Sequence, residues 1–198
     1  LIVSRDITQR KGVEESLCES ETRWQFALEG ACDGLWDWNT ESGKVYFSKR
    51  WKEMLGFSDA ELDNDFSTWE SRIHPDDLER VRRTIRAYLD GREANYTVEH
   101  RLRCKGGEYK WILARGKAIG GESEGRPVRM LGTHTDISTV KATVHALQES
   151  ESRFRALIED LDVGVVLQDP NDHILLSNAA AERILGIENH DLEGVSSR

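Results

Sequence analysis

This chain repeats itself. The stretch from Asp6 to Thr68 aligns with the stretch from Asp136 to Arg198 at a constant offset of 130 residues, without a gap. Asp6-Ile7-Thr8 matches Asp136-Ile137-Ser138. Leu17-Cys18-Glu19-Ser20-Glu21-Thr22-Arg23-Trp24 matches Leu147-Gln148-Glu149-Ser150-Glu151-Ser152-Arg153-Phe154, and Met54-Leu55-Gly56-Phe57 matches Ile184-Leu185-Gly186-Ile187. Solenoid repeats run roughly 20–50 residues, so this period is too long for one. It is the size of a whole domain. A chain of 198 residues with that period reads as a piece of a tandem array.

Charge and cysteine usage narrow the function classes. The net charge of −9 argues against nucleic acid or an anionic membrane as the main partner. No apolar run approaches the roughly 20 residues of a membrane span, and no signal peptide is visible. Cys18, Cys32 and Cys104 are odd in number and lack CxxC spacing, which indicates neither a disulfide framework nor a zinc site. The setting this implies is the reducing cytoplasm.

Within one unit the periodicities alternate. Residues 12 to 31 place Val13, Leu17, Trp24, Ala27, Leu28 and Ala31 at helical spacing. Gly34 to Asn39 and Val45 to Ser48 read as a hairpin. Ser48 is expected to cap a helix from Lys49 to Leu55 that ends at Gly56, and Ser58 and Ser67 to cap two further short helices. His74-Pro75-Asp76-Asp77 opens a long helix to Leu89, with proline at its first position and carboxylates against the positive end of its dipole. Leu78, Val81, Ile85 and Leu89 form its apolar stripe. Two long strands follow, Tyr96 to Cys104 and Tyr109 to Ile119, joined by Lys105-Gly106-Gly107-Glu108. Val128 to Asp136 is the last strand. Adjacent hairpins with helices inserted between them predict an α+β sandwich.

These segments resemble a known family. Gly34-Leu35-Trp36-Asp37-Trp38-Asn39, Val45-Tyr46-Phe47-Ser48 and Trp51-Lys52-Glu53-Met54-Leu55-Gly56-Phe57 look like the first half of a PAS domain of the tryptophan-rich type. Ile73-His74-Pro75-Asp76-Asp77 resembles that type's entry to the long helix. Lys105-Gly106-Gly107-Glu108-Tyr109-Lys110-Trp111 resembles its C-terminal hairpin, and Asp136-Ile137-Ser138 resembles the Asp-Ile-Thr motif that ends such domains. The resemblance implies a five-stranded antiparallel sheet with helices on one face, flanking amphipathic helices and a small pocket between sheet and helices. It divides the chain into the tail of a preceding unit (1–11), an N-terminal linker helix (12–31), a complete domain (32–138), a signalling linker helix (139–161) and the truncated start of a second domain (162–198). It implies a sensory module of a multi-domain signalling protein, whose output domain would be a histidine kinase or a cyclic di-GMP enzyme. The alternative is a ligand-free module for dimerisation and protein interaction.

The expected pocket lining is Trp36, Phe47, His100, Leu102, Ile112 and His134. If both histidines face inward, burial shifts their titration; the simpler alternative is a pair of hydrogen-bonded strand histidines. No cofactor is required. A small organic ligand, flavin or haem is compatible with the fold, but residues 75 to 90 lack a haem-type histidine and Leu62 to Trp69 lacks the cysteine of flavin photochemistry. His74, Asp76 and Asp77 are accounted for by the helix start without a metal. Many bulky rings in one unit also predict a nearly filled cavity.

In the linker, Val140, Val144, Leu147, Phe154, Ile158 and Leu161 alternate at spacings of 4 and 3, with Glu151 in the one missing seam position. This heptad seam predicts a parallel coiled-coil homodimer, against the alternative of one amphipathic helix packed on its own domain. Asp136, Ser138 and Glu151 are the expected relay residues. There is no nucleophile elbow, HExxH, Walker loop or dinucleotide fingerprint, so the expected module is not an enzyme.

Overall fold

The computed structural model describes residues 33–119, 122–123, 126–171 and 173–185. The expected tail at 1–11, the linker helix at 12–31 and the last residues of the second unit, 186–198, lie outside these. The chain divides into two compact units, with the division between Thr139 and Val140.

The first unit begins with β1 (Gly34–Asn39) and β2 (Val45–Phe47), then helices α1 (Lys49–Met54), α2 (Phe66–Glu70) and α3 (Pro75–Leu89). Strands β3 (Tyr96–Arg103), β4 (Tyr109–Ala118) and β5 (Arg129–Asp136) complete it. The five strands form one antiparallel sheet in the order β2-β1-β5-β4-β3. The first and last strands are therefore central neighbours. Glu122–Ser123 and Arg126–Pro127 form a short antiparallel ladder between β4 and β5. On one sheet face Trp36, Phe47, Tyr96, Val98, His100, Leu102, Ile112, Ala114, Met130 and His134 are buried. Trp51, Met54, Trp69, Val81 and Ile85 of the helices join the same core.

Local chemistry sets the helix boundaries. Ser48 Oγ accepts from the Trp51 amide, and Gly56, just beyond α1, has φ of 83°, which an L side chain rarely adopts. Ser58 and Glu61 form the capping box of a 3-10 turn at Asp59–Glu61. Ser67 does not cap α2. Asp65 does, accepting from the Ser67 amide at 2.8 Å, because it stands two residues before that amide and outside the helix. His74 is the N-cap of α3, its Nδ1 accepting from the Asp76 amide. Among the described residues no cluster of three or more His, Cys, Asp or Glu side chains is arranged to hold a metal.

Two interactions bind helices to the sheet and to each other. Asp77 is buried, and its carboxylate accepts from the Arg101 amide at 2.9 Å, the Arg101 guanidinium at 2.9 and 3.1 Å, and Arg80. Partial burial raises its pKa, but the Arg101 and Arg80 hydrogen bonds outweigh this and hold the carboxyl well below the usual range. Lys52 is buried as well. Its ammonium donates to the Asp59 and Leu62 carbonyls and pairs with the Asp59 carboxylate at 2.9 Å, so every proton has an acceptor.

The centre of the sheet depends on glycine. Trp36, Gly132 and Gly116 are register partners across β1, β5 and β4. The Trp36 indole lies over both glycines: a Cβ at Gly132 would sit 2.3 Å from the ring and 2.1 Å from the Arg115 carbonyl oxygen, and one at Gly116 would sit 2.5 Å from the ring. Gly132→Ala is expected to cost about 2–3 kcal/mol, since the Arg115 carbonyl is backbone and cannot swing away. A urea-denaturation midpoint equal to wild type would refute this packing.

In the second unit, helix α4 (Ser138–Glu159) carries most of its length. Strands β6 (Val166–Gln168) and β7 (Ile174–Ser177) form an antiparallel ladder, followed by α5 (Ala179–Leu185). The offset of 130 reappears atom by atom. Ser48 Oγ accepts from the Leu35 and Trp51 amides, and Asn178 Oδ1 accepts from the Val165 and Ala181 amides. The Ser48 amide donates to the Leu35 carbonyl, and that of Asn178 to the Val165 carbonyl. One junction of hairpin and helix is built twice with different side chains.

Candidate functional site: an aromatic cavity and a clamped linker helix

The buried sheet face alternates along each strand, so residues two apart point together. Across β1, β2, β3 and β5 this brings Trp36, Trp38, Val45, Phe47, Tyr96, Met130 and His134 around one cavity, which Phe66, Trp69 and Ile85 close from the helices. Its volume is about 30 Å³, room for about two waters. Stacked and edge-on rings fill the rest: Phe47 on Trp51 at 4.0 Å, Trp38 on Phe66 at 4.7 Å and Trp36 edge-on to Tyr96 at 6.1 Å between centroids.

Of the six expected lining residues, Trp36, Phe47 and His134 border this cavity. His100, Leu102 and Ile112 are fully buried in the same core and are not among the lining residues. The two imidazoles are 5.5 Å apart, and each is held by a tryptophan. Trp51 Nε1–H donates to His134 Nδ1 at 2.8 Å, and Trp69 Nε1–H donates to His100 Nε2 at 3.3 Å. An accepting nitrogen carries no proton, so neutral His134 is protonated on Nε2 and neutral His100 on Nδ1. Burial lowers the His100 pKa to about 4. Burial, with the neighbouring His100, lowers that of His134 well below its ordinary value. The tryptophan partners were invisible to sequence reading, because the pairs are 83 and 31 residues apart and obey no local period. The Nε1–H groups of Trp36 and Trp38 are buried with no acceptor among the described residues.

Of the three expected relay residues, Asp136 and Ser138 meet where β5 becomes α4. Asp136 Oδ1 accepts from the Ser138 amide at 2.9 Å, and its Oδ2 lies 2.9 Å from Lys110 Nζ. Partial burial raises the Asp136 pKa, but the Ser138 and Lys110 hydrogen bonds prevail and lower it. Lys110 also donates to the Met54 carbonyl at the end of α1. Ser138 Oγ accepts from the Trp111 amide at 3.0 Å, and the Ile137 amide donates to the Trp111 carbonyl at 2.8 Å. The start of α4 is thus fastened to β4 and, through Lys110, to the helix that carries Trp51. Glu151 lies further along, paired with Arg155 one turn on.

A central five-stranded sheet, an aromatic cavity behind it and a helix fastened to its last strand define a small α+β module. The profile of the family described as "PAS fold" matches residues 44–134, and that described as "PAS domain" matches residues 152–197. The crystal structure of a sensory box histidine kinase/response regulator from Burkholderia thailandensis E264 is 39% identical, with a TM-score of 0.60; the match covers 68% of this chain and 98% of that one. Sensor protein FixL of Bradyrhizobium diazoefficiens is 27% identical over 82% of this chain and 32% of its own length. The probable diguanylate cyclase DgcE of Escherichia coli is 25% identical over 96% of this chain and 17% of its own length. The chain belongs to the PAS family and is a sensory module of a signalling protein. It spans between a sixth and a third of the length of these two curated relatives. Among the described residues no helix is long and apolar enough to cross a membrane.

Proposed function

We propose that the module detects a small ligand, redox state or similar cue at the aromatic cavity and passes it through α4 to an output domain, a histidine kinase or a cyclic di-GMP enzyme. The clamp at Asp136 carries this reading. Asp136 and Ser138 tie the first turn of α4 to β4, so a change in the sheet reaches the helix through hydrogen bonds rather than a slack loop. The module itself is non-catalytic and acts in the cytoplasm. The apolar seam of α4 supports a homodimer: Val140, Val144, Leu147 and Phe154 are all exposed, Leu147 at 68%. Glu151 in that seam weakens the coil locally, which suits a helix that shifts register.

Asp136→Ala in the full-length protein is expected to change output activity by roughly fivefold or more. Output equal to wild type, with the module still folded, would overturn the relay. The second reading, a module that binds no ligand, is favoured by a cavity with room for about two waters. Against it stand the unpaired indole donors of Trp36 and Trp38, which suit an occupant bearing hydrogen-bond acceptors.

A further inference from the structure

One difference between the repeats changes the hydrogen bonding of a buried junction. At the junction of hairpin and helix the first unit has Ser48 and the second has Asn178. Both supply the same acceptor to the same two amides, but only asparagine adds an amide donor. Asn178 is fully buried, and its Nδ2 donates to the carbonyls of Ile158 at 2.9 Å, Leu161 at 3.3 Å and Val163 at 2.9 Å. The first of these is in the last turn of α4, and the others are in the segment that leaves it. C-terminal carbonyls of a helix have no partner within it and must be satisfied elsewhere. Here one side chain donates to one such carbonyl, that of Ile158, and to two more in the segment just beyond the helix. Glu159, the last residue of α4, reaches the same place, its carboxylate accepting from the Ala179 amide at 3.0 Å.

We propose that Asn178 is a positioning residue for signalling: it locks the C-terminal end of α4 to the hairpin and helix of the second unit, as Asp136 locks the N-terminal end to the first. The inference rests on the reading of α4 as the relay. A helix gripped at one end transmits rotation or sliding only if its far end is also held. At the far end Asn178 supplies three of the contacts beside that of Glu159, and its side chain serves two purposes. Oδ1 braces the junction itself, as Ser48 does, and Nδ2 holds the helix. The two purposes separate by substitution. Asn178→Ser keeps the hydroxyl acceptor that already works at Ser48 and removes the donor. Asn178→Asp keeps an acceptor oxygen at the Oδ1 position and replaces the donor with a second acceptor.

The test uses the full-length protein, with output activity and hydrogen exchange read on the same variants. Asn178→Ser is expected to speed exchange of the amides in the last turn of α4 by about tenfold, while the Val165 and Ala181 amides stay protected. Output is expected to move by roughly fivefold or more. The double variant Asp136→Ala/Asn178→Ser is expected to match the single variants, because a helix released at one end gains nothing from release at the other. Additive effects on log output would overturn the proposal. So would wild-type output with a freed last turn, or a last turn that stays protected. Lost protection at Val165 and Ala181 in both the serine and aspartate variants would show that Asn178 only braces its own unit. If Asp136→Ala alone leaves output unchanged, it is the relay reading of α4 that fails, not this assignment alone.

Discussion

Replacing Trp51 with alanine is expected to remove roughly 4 kcal/mol of stability, a large part of what holds a domain of this size folded. Trp51 has no exposed surface. It stacks on Phe47 and packs against Gly34 so closely that a Cβ there would sit 2.7 Å from the Trp51 Cα. It also donates the hydrogen bond that His134 Nδ1 accepts, so its loss leaves a buried acceptor without a partner as well as a cavity. Trp51→Phe separates the two effects: it keeps most of the ring volume and is expected to cost about 1–3 kcal/mol for the missing donor. Urea denaturation of both variants measures this. An alanine variant no less stable than the phenylalanine variant would show that Trp51 does not anchor the core.

Acidification is expected to unfold the module through its buried imidazoles. In the unfolded chain histidine titrates near 6.5, whereas burial lowers His100 to about 4 and His134 well below its ordinary value. At pH 7 both rings are neutral in both states. As pH falls below about 6.5, the unfolded chain takes up protons that the folded one refuses, so stability falls. The His100 shift alone corresponds to roughly 3 kcal/mol, lost by pH 4, with His134 adding to the same slope. Carboxylates held low by their partners, Asp77 and Asp136, lose their contribution only below about pH 4, the unfolded carboxylate range, so the windows are distinct. Unfolding free energies between pH 7 and 4.5 would show the slope, and His100→Gln, whose side-chain carbonyl can accept from Trp69, would reduce it. A flat profile, or an unchanged slope in that variant, would mean that the imidazoles are not held neutral.

Sequence reading succeeded where the cause is local. The bounds of β1 and α3 follow from two- and 3.6-residue periods, and the Ser48 cap from a side chain that reaches an amide three residues away. It failed at α2 because Asp65 and Ser67 are both plausible caps within two residues, and only the backbone path selects one. It assigned Asp77 to the helix dipole and missed its pairing with Arg101, 24 residues on, because nothing in the intervening chain encodes that distance.

The chain by itself determined that a domain is repeated at 130 residues, which strands alternate, and where helices start. These depend on spacing and on short-range hydrogen bonds, both written in residue order. Tertiary structure alone decided three things: that each imidazole accepts from a tryptophan, that the Trp36 ring lies over Gly116 and Gly132 beside a cavity of only about 30 Å³, and that the Asn178 amide donor meets the carbonyls of Ile158, Leu161 and Val163. Each depends on side chains brought together by the order β2-β1-β5-β4-β3 or by the fold-back of β6, β7 and α5 onto the end of α4. Such contacts are set by packing in three dimensions, and no period along the chain records them.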